Sequence, residues 1–189
     1  SVKLAKRVQE KGADALVIEG FEAGGHDGMQ TTMALMTNVI PEIDIPIIVA
    51  GSIVDGRGMA AALLMGADGV QMGSRFLLAE ECQVHQNSKD AIIAATDTDS
   101  VITGFTRNNN VRGLRSAFTD EYLRLEREGA ADDVLTALSR GTNRLAAVDG
   151  DTVNGVVQVG QGLNRLTKIQ PAKEIVDEII HEMTERLQN

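Results

Sequence analysis

The sequence predicts an α/β fold with parallel strands, on three observations. Short, continuous apolar runs of strand length recur, as in strands covered on both faces. Segments with helical apolar spacing alternate with them, the order that parallel β/α units produce. The triplet Gly-Ala-Asp also occurs twice, at Gly12–Ala13–Asp14 and Gly66–Ala67–Asp68, each time between a helix end and a strand.

Taken in order, Val2 to Lys11 reads as a helix with Leu4, Ala5 and Val8 at helical spacing, stopped by Gly12. Ala15–Ile18 is the first buried-strand run, followed by a glycine-rich stretch, Gly20 to Gly28. Thr31 or Thr32 can cap a helix carrying Met33, Leu35, Met36, Val39 and Ile40. Ile47–Ala50 is the second strand and ends at Gly51–Ser52; Asp55 can cap the helix that follows. Gly69–Met72 is the third strand and ends at Gly73–Ser74. From Glu81 to Lys168 only helical segments and loops are expected, with Asp132 capping a helix towards Arg140. Pro171 then opens a helix whose stripe is Ala172, Ile175, Val176, Ile179, Ile180, Met183 and Leu187. Three segments result: a β/α segment over 1–80, a helical and loop segment over 81–168, and a C-terminal helix over 169–189.

The 189 residues are 43% apolar and 24% charged, the proportions of a globular protein. No apolar run approaches the roughly 18–20 residues of a membrane span. The opening residues lack a secretory pattern, and one cysteine, Cys82, cannot form an internal disulfide, so a reducing cytoplasm is expected. A net charge of −9 and 3% aromatics argue against nucleic acid as a partner. No His/Cys/Asp/Glu group has zinc-like spacing, and no Gly-x-Ser-x-Gly appears, so a metal centre and a serine hydrolase are unsupported.

All three strands end in glycine-containing loops, which parallel pairing brings to one sheet edge, where α/β barrels and open α/β sheets alike bind ligands. Glycine lets a ligand approach the backbone, and exposed N–H groups with the start of the helix near Asp55 favour an anion such as phosphate. Tight turning alone also explains any one of these loops. His26 follows Gly24–Gly25 just past a strand, where an imidazole can exchange a proton near neutral pH; a structural role is the alternative. His85, His181 and Cys82 read as structural, and Glu19 extends the first strand into the ligand edge.

Glu19–His26 (EGFEAGGH), Val49–Ile53 (VAGSI) and Gln71–Phe76 (QMGSRF), in this order and spacing, resemble the FMN-dependent nitronate monooxygenase/enoyl-ACP reductase II superfamily. The resemblance continues through Val111–Leu114 and Val159–Gln161, and Thr31–Met33 with the long tail is closer to the reductase branch. It implies a TIM (β/α)8 barrel, of which this chain supplies the last three strand–helix units plus a helical tail or lid. It also implies that Glu19, Gly24, Gly25, Gly51 and Ser52 line an FMN site, completed by Gln71, Met72, Gly73 and Ser74, with His26 as catalytic residue. The activity implied is reduction of trans-2-enoyl-ACP with NADH or NADPH in fatty-acid synthesis. The alternatives are O2-dependent oxidation of alkyl nitronates, and a flavin-binding fragment without turnover. Expected partners are an acyl carrier protein, met by Arg107, Arg112, Arg115, Arg124 and Arg127, and further copies of the chain in a homo-oligomer. Ser52 stands where the family turn has a second glycine. Family members carry five further strands before the point matching Ser1, and three units cannot close an eight-stranded barrel, so a missing N-terminal barrel half is a further expected partner.

Overall fold

The computed structural model describes residues 1–188. The β/α alternation is present: α1 (Val2–Glu10), β1 (Leu16–Glu19), β2 (Gly25–His26), α2 (Thr32–Val39), β3 (Ile47–Ala50), α3 (Gly56–Leu64), β4 (Gly69–Gln71) and α4 (Ser74–Leu77). Strands β1, β3 and β4 form a parallel sheet with β3 in the centre, Leu16 opposite Ile47 and Ile48 opposite Gly69. Gly12 and Gly66, the first residues of the repeated triplet, both take positive φ, +87° and +98°, which lets each preceding helix turn into a strand. The main core lies between the sheet and α1–α3, where Leu16, Ile18, Ile47 and Val49 meet Leu35, Met36, Val39 and Ala62.

Strand β1 is not covered on both faces. Its burial alternates, so Leu16 and Ile18 enter the core while Val17 is 54% exposed. With Leu4, Val8 and Met29 it lines an open apolar groove beside α1 and α2.

The region after Glu80 departs from the helix-and-loop expectation. It contains α5 (Gln86–Ala94), then a hairpin of β5 (Ser100–Thr103) and β6 (Val111–Leu114). Strand β6 also pairs antiparallel with the two-residue β2, with Gly25 opposite Arg112 and His26 opposite Val111. Strands of two and four residues interrupted by Gly104 and Gly113 carry too little periodicity to stand out in the sequence. Helices α6 (Ala117–Arg127), α7 (Asp132–Ser139) and α8 (Thr142–Ala147) follow. Ala131, not Asp132, precedes the first turn of α7, and Asp132 instead pairs with Arg107 at 2.8 Å.

The last helix, α9 (Ala172–Gln188), packs on α3 and buries a narrower stripe than expected. Ile175 and Ile179 are buried, while Val176, Ile180 and Leu187 are 43–45% exposed. The crossing is close because Gly56 has no side chain: a Cβ there would lie 2.4 Å from the Ile179 carbonyl oxygen and the Met183 nitrogen. At the same corner the Asp55 carboxylate accepts from the Gly58 amide at 3.0 Å and pairs with Arg57 and with Arg165 of the tail.

Burial alone would raise the Asp55 carboxyl, but the Gly58 amide and the two arginines outweigh it and hold it below its ordinary value. This stabilisation is present above the unfolded-state value, about pH 4, and is lost as pH falls through the lower folded value. Asp55→Asn keeps a capping oxygen but loses the charge facing the two arginines, and is therefore expected to cost about 0.2–1 kcal/mol at neutral pH. In urea melts the gap to the wild type should narrow below about pH 4; a constant gap down to pH 3 would contradict this account.

Candidate functional site

The loops after β1, β3 and β4 enclose a cleft of about 240 Å³ at the carboxyl edge of the parallel sheet. Among the residues singled out from the sequence, Glu19, Gly24, Gly51, Ser52, Gln71, Gly73 and Ser74 line it. Gly25, His26 and Met72 do not. Met72 turns inward and packs against two apolar clusters. Gly25 is buried at φ +83°, beneath the Gln158 side chain. His26 ends β2 with its side chain exposed, and among the described residues its ring makes no hydrogen bond. Gln158 and Gly160 of the tail also line the cleft and were not singled out as site residues. Their signals in the sequence are the glycine spacing Gly155, Gly160, Gly162 and, for Gly160, the Val159–Gln161 part of the resemblance.

The tail can lie against the first loop because glycines face it. A Cβ on Gly24 would come within 2.5–2.7 Å of the Val159 backbone, and one on Gly160 within 2.8 Å of the Glu22 carbonyl oxygen. Ser52, at φ +54°, joins the three segments. Its hydroxyl donates to the Glu22 carbonyl at 2.8 Å and accepts from the amides of Gln161 and Gly162 at 2.7 and 3.1 Å. Its one proton is thus committed inside the protein. The Ser74 hydroxyl likewise accepts from the Gly160 amide at 2.9 Å.

Carboxylates already occupy part of the N-terminus of each longer helix near the cleft. The Asp55 and Glu182 carboxylates already take the Gly58 and Gly56 amides of α3, which corrects the expectation that this helix end faces an anion. The Glu22 carboxylate similarly accepts from the Thr32 amide at 2.6 Å at the start of α2. What remains is the loop backbone: the amides of Gly51, Ser52, Gly73 and Ser74 meet no acceptor among the described residues. Four donors around one cleft suit an anion with several oxygens. Gly73 leaves the space beside it open, since a Cβ there meets nothing within 4 Å.

Glu19 is the one charged residue lining the cleft. Although its side chain reaches solvent, the packed strand ends around its carboxyl raise its pKa, and the nearby Asp27 carboxylate adds to the rise. Of the five arginines expected to meet a carrier protein, Arg112 is buried, Arg115 pairs with Asp120, Arg124 with Glu121 and Glu128, and Arg107 with Asp132, while the exposed Arg127 donates to the Leu123 carbonyl. His85 is structural, its Nδ1 accepting from the Asn87 amide at the start of α5. Among the described residues no group of acidic, His or Cys side chains is arranged to hold a metal, and no helix is long and apolar enough to cross a membrane.

Comparison with known proteins places this geometry. The profile of the family described as nitronate monooxygenase matches residues 1–182. The chain belongs to that family. Its members are FMN-dependent oxidoreductases. Probable nitronate monooxygenases of two Staphylococcus aureus strains, MSSA476 and JH9, are each 33% identical over 198 residues, covering 100% of this chain and 56% of theirs. FabK from Thermotoga maritima superposes with a TM-score of 0.95 at 39% identity, over 100% of this chain and 60% of that one. Nitroalkane oxidase from Streptomyces ansochromogenes gives 0.82 at 28% identity, over 100% and 56%. The chain thus spans little more than half the length of the curated relatives it matches.

The Ser52 junction carries a direct test. Ser52→Ala removes the acceptor of the Gly162 amide and one of the two acceptors of the Gln161 amide, which also donates to the Glu22 carbonyl at 3.0 Å, and should cost about 1–3 kcal/mol. Hydrogen exchange at Gln161 and Gly162 should rise with it; unchanged exchange at these two amides would show that the hydroxyl does not hold the tail.

Proposed function

We propose that this chain supplies the phosphate-binding edge of an FMN-dependent oxidoreductase that reduces a trans-2-enoyl thioester carried on an acyl carrier protein, with NADH or NADPH as reductant. The observation that carries the flavin part is the set of four unpartnered amides around the cleft. They fit the phosphate of a mononucleotide, and no Gly-x-Gly-x-x-Gly follows a strand as a dinucleotide site would require. What favours the reductase over the monooxygenase is the higher identity and TM-score against FabK than against the nitroalkane oxidase. The strands that would close the sheet into a barrel over β1 lie outside this sequence, and we assign the open apolar groove to them.

In this reading Gly51, Ser52, Gly73 and Ser74 hold the phosphate through backbone N–H groups. Gly24 keeps the approach open, and Gln71 and Gln158 border it. Bound FMN would supply the hydride chemistry that no side chain here can perform. His26, exposed at the end of β2, is placed to hold or deliver a proton at the reacting substrate. Glu19 keeps part of the cleft polar.

Two variants test this. Gly73→Asp sets a carboxylate beside the phosphate and should abolish flavin retention, since like charges repel strongly in a partly desolvated site; a fully FMN-loaded Gly73→Asp protein, or FAD as the extracted cofactor, would contradict the assignment. His26→Ala should leave flavin bound while kcat falls roughly 10²–10⁴-fold. Enoyl-thioester-dependent oxidation of NAD(P)H should be present in the flavin-loaded enzyme. Its absence, alongside robust O2 consumption with an alkyl nitronate, would move the assignment to the monooxygenase.

A further inference from the structure

The His26 ring makes no hydrogen bond among the described residues, so its backbone alone sets where it stands. That backbone is short of support of its own. Strand β2 has two residues, and Gly24 and Gly25, which precede His26, are the least restrained residues a chain can carry.

A buried guanidinium fastens this loop at both ends. The Arg112 side chain is 3% exposed. Its Nε and Nη2 donate to the Phe21 carbonyl at 3.3 and 3.0 Å, and its Nη1 donates to Ser100 Oγ at 3.2 Å. The guanidinium also lies over the Phe21 ring, 5.1 Å from its centre. On the other flank of His26, Arg112 Nε is 3.7 Å from a carboxylate oxygen of Asp27, whose side chain is 0% exposed. The Arg112 backbone pairs with Gly25 between these two points, and the Asp27 amide donates to the Asn110 carbonyl at 3.3 Å. One residue therefore touches the loop before, within and after its glycine pair.

The arrangement is costly. Neither Asp27 carboxylate oxygen meets hydrogen-bond geometry, although the Asn110 side chain stands beside it. A buried carboxylate without hydrogen bonds is tolerated only through its counter-charge. Burial accordingly raises the Asp27 carboxyl and depresses Arg112, each opposed by the charge of the other. A fold that needed only a closed loop could use apolar residues here at less cost. The pair instead gives direction, since a guanidinium serves several acceptors in fixed geometry.

We propose that Arg112 and Asp27 are positioning residues: together they form a buried clasp that fixes the Gly24–Gly25–His26 turn and so aims the imidazole at the substrate. The catalytic half of this inference rests on the role proposed above for His26, whereas the conformational half does not.

The test is a double-mutant cycle in the flavin-loaded enzyme with two readouts. Arg112→Lys retains a cation but cannot reach Phe21, Ser100 and Asp27 together; Asp27→Asn keeps the shape and removes the charge. Each should raise hydrogen exchange at the amides from Gly24 to Asp27 roughly tenfold or more, the equivalent of one charge-assisted hydrogen bond, while β3 exchange stays unchanged. Each should lower kcat by roughly 10²-fold, the cost of a misplacement of about 1 Å, with KM and flavin content little changed. The double variant, Asp27→Asn with Arg112→Lys, should be impaired by less than the sum of the two single effects, because both act on one clasp. If Arg112→Lys does not fold, Asp27→Asn decides alone. Unchanged loop exchange overturns the clasp. Raised exchange with unchanged kcat overturns its positioning role. A wild-type enzyme without enoyl-thioester reduction would overturn the functional reading, and the exchange data would still decide the clasp.

Discussion

Everything at the candidate site depends on backbone meeting backbone at the carboxyl edge of the parallel sheet. The tail crosses the loop after β1 at a distance that no Cβ permits at Gly24 or Gly160. Ser52 then fastens the crossing by offering one hydroxyl to three partners on two segments. Because hydroxyls, helix N-termini and carboxylates are spent on this junction, the groups left facing the cleft are main-chain amides. Such amides cannot rotate away, which makes them a preorganised anion site at no further conformational cost.

The same economy explains how charge is distributed. An acidic chain would repel a phosphate if its carboxylates clustered at the cleft, where among the described residues Glu19 alone stands. Instead Glu22, Asp55 and Glu182 are turned onto the first turns of α2 and α3, where helix dipoles favour them. Of the arginines of the later segment, Arg107, Arg115, Arg124 and Arg144 are matched by neighbouring carboxylates, and Arg112 is drawn into the interior beside Asp27 and the Phe21 carbonyl. The two halves of the chain are joined at this point: β2 belongs to the first segment and pairs with β6 of the second.

The parallel order, the strand-end loops and half of the lining residues were legible in the sequence, because apolar runs bounded by glycine have few other solutions. The β5–β6 hairpin was not, since Gly113 and Arg112 break its apolar pattern, and Arg112 is buried for its charge. The free stripe of α9 was read too wide because Val176 and Ile180 repeat the helical period without reaching α3. Ser52 reads as a lining residue of the implied cofactor site because it stands at the right turn, but the sequence cannot show that the tail has claimed its hydroxyl. The contribution of Gln158 arises from long-range packing, to which no local pattern points, and the motif around Gly160 does not show which loop it meets.

The central claim is that loop amides of the β3 and β4 ends receive a mononucleotide phosphate. A crystal structure of the protein with FMN would test it most directly. The account predicts the phosphate within hydrogen-bond distance, about 2.7–3.2 Å, of the Ser52 and Ser74 amides. A flavin phosphate seated elsewhere, with these amides facing water, would contradict it.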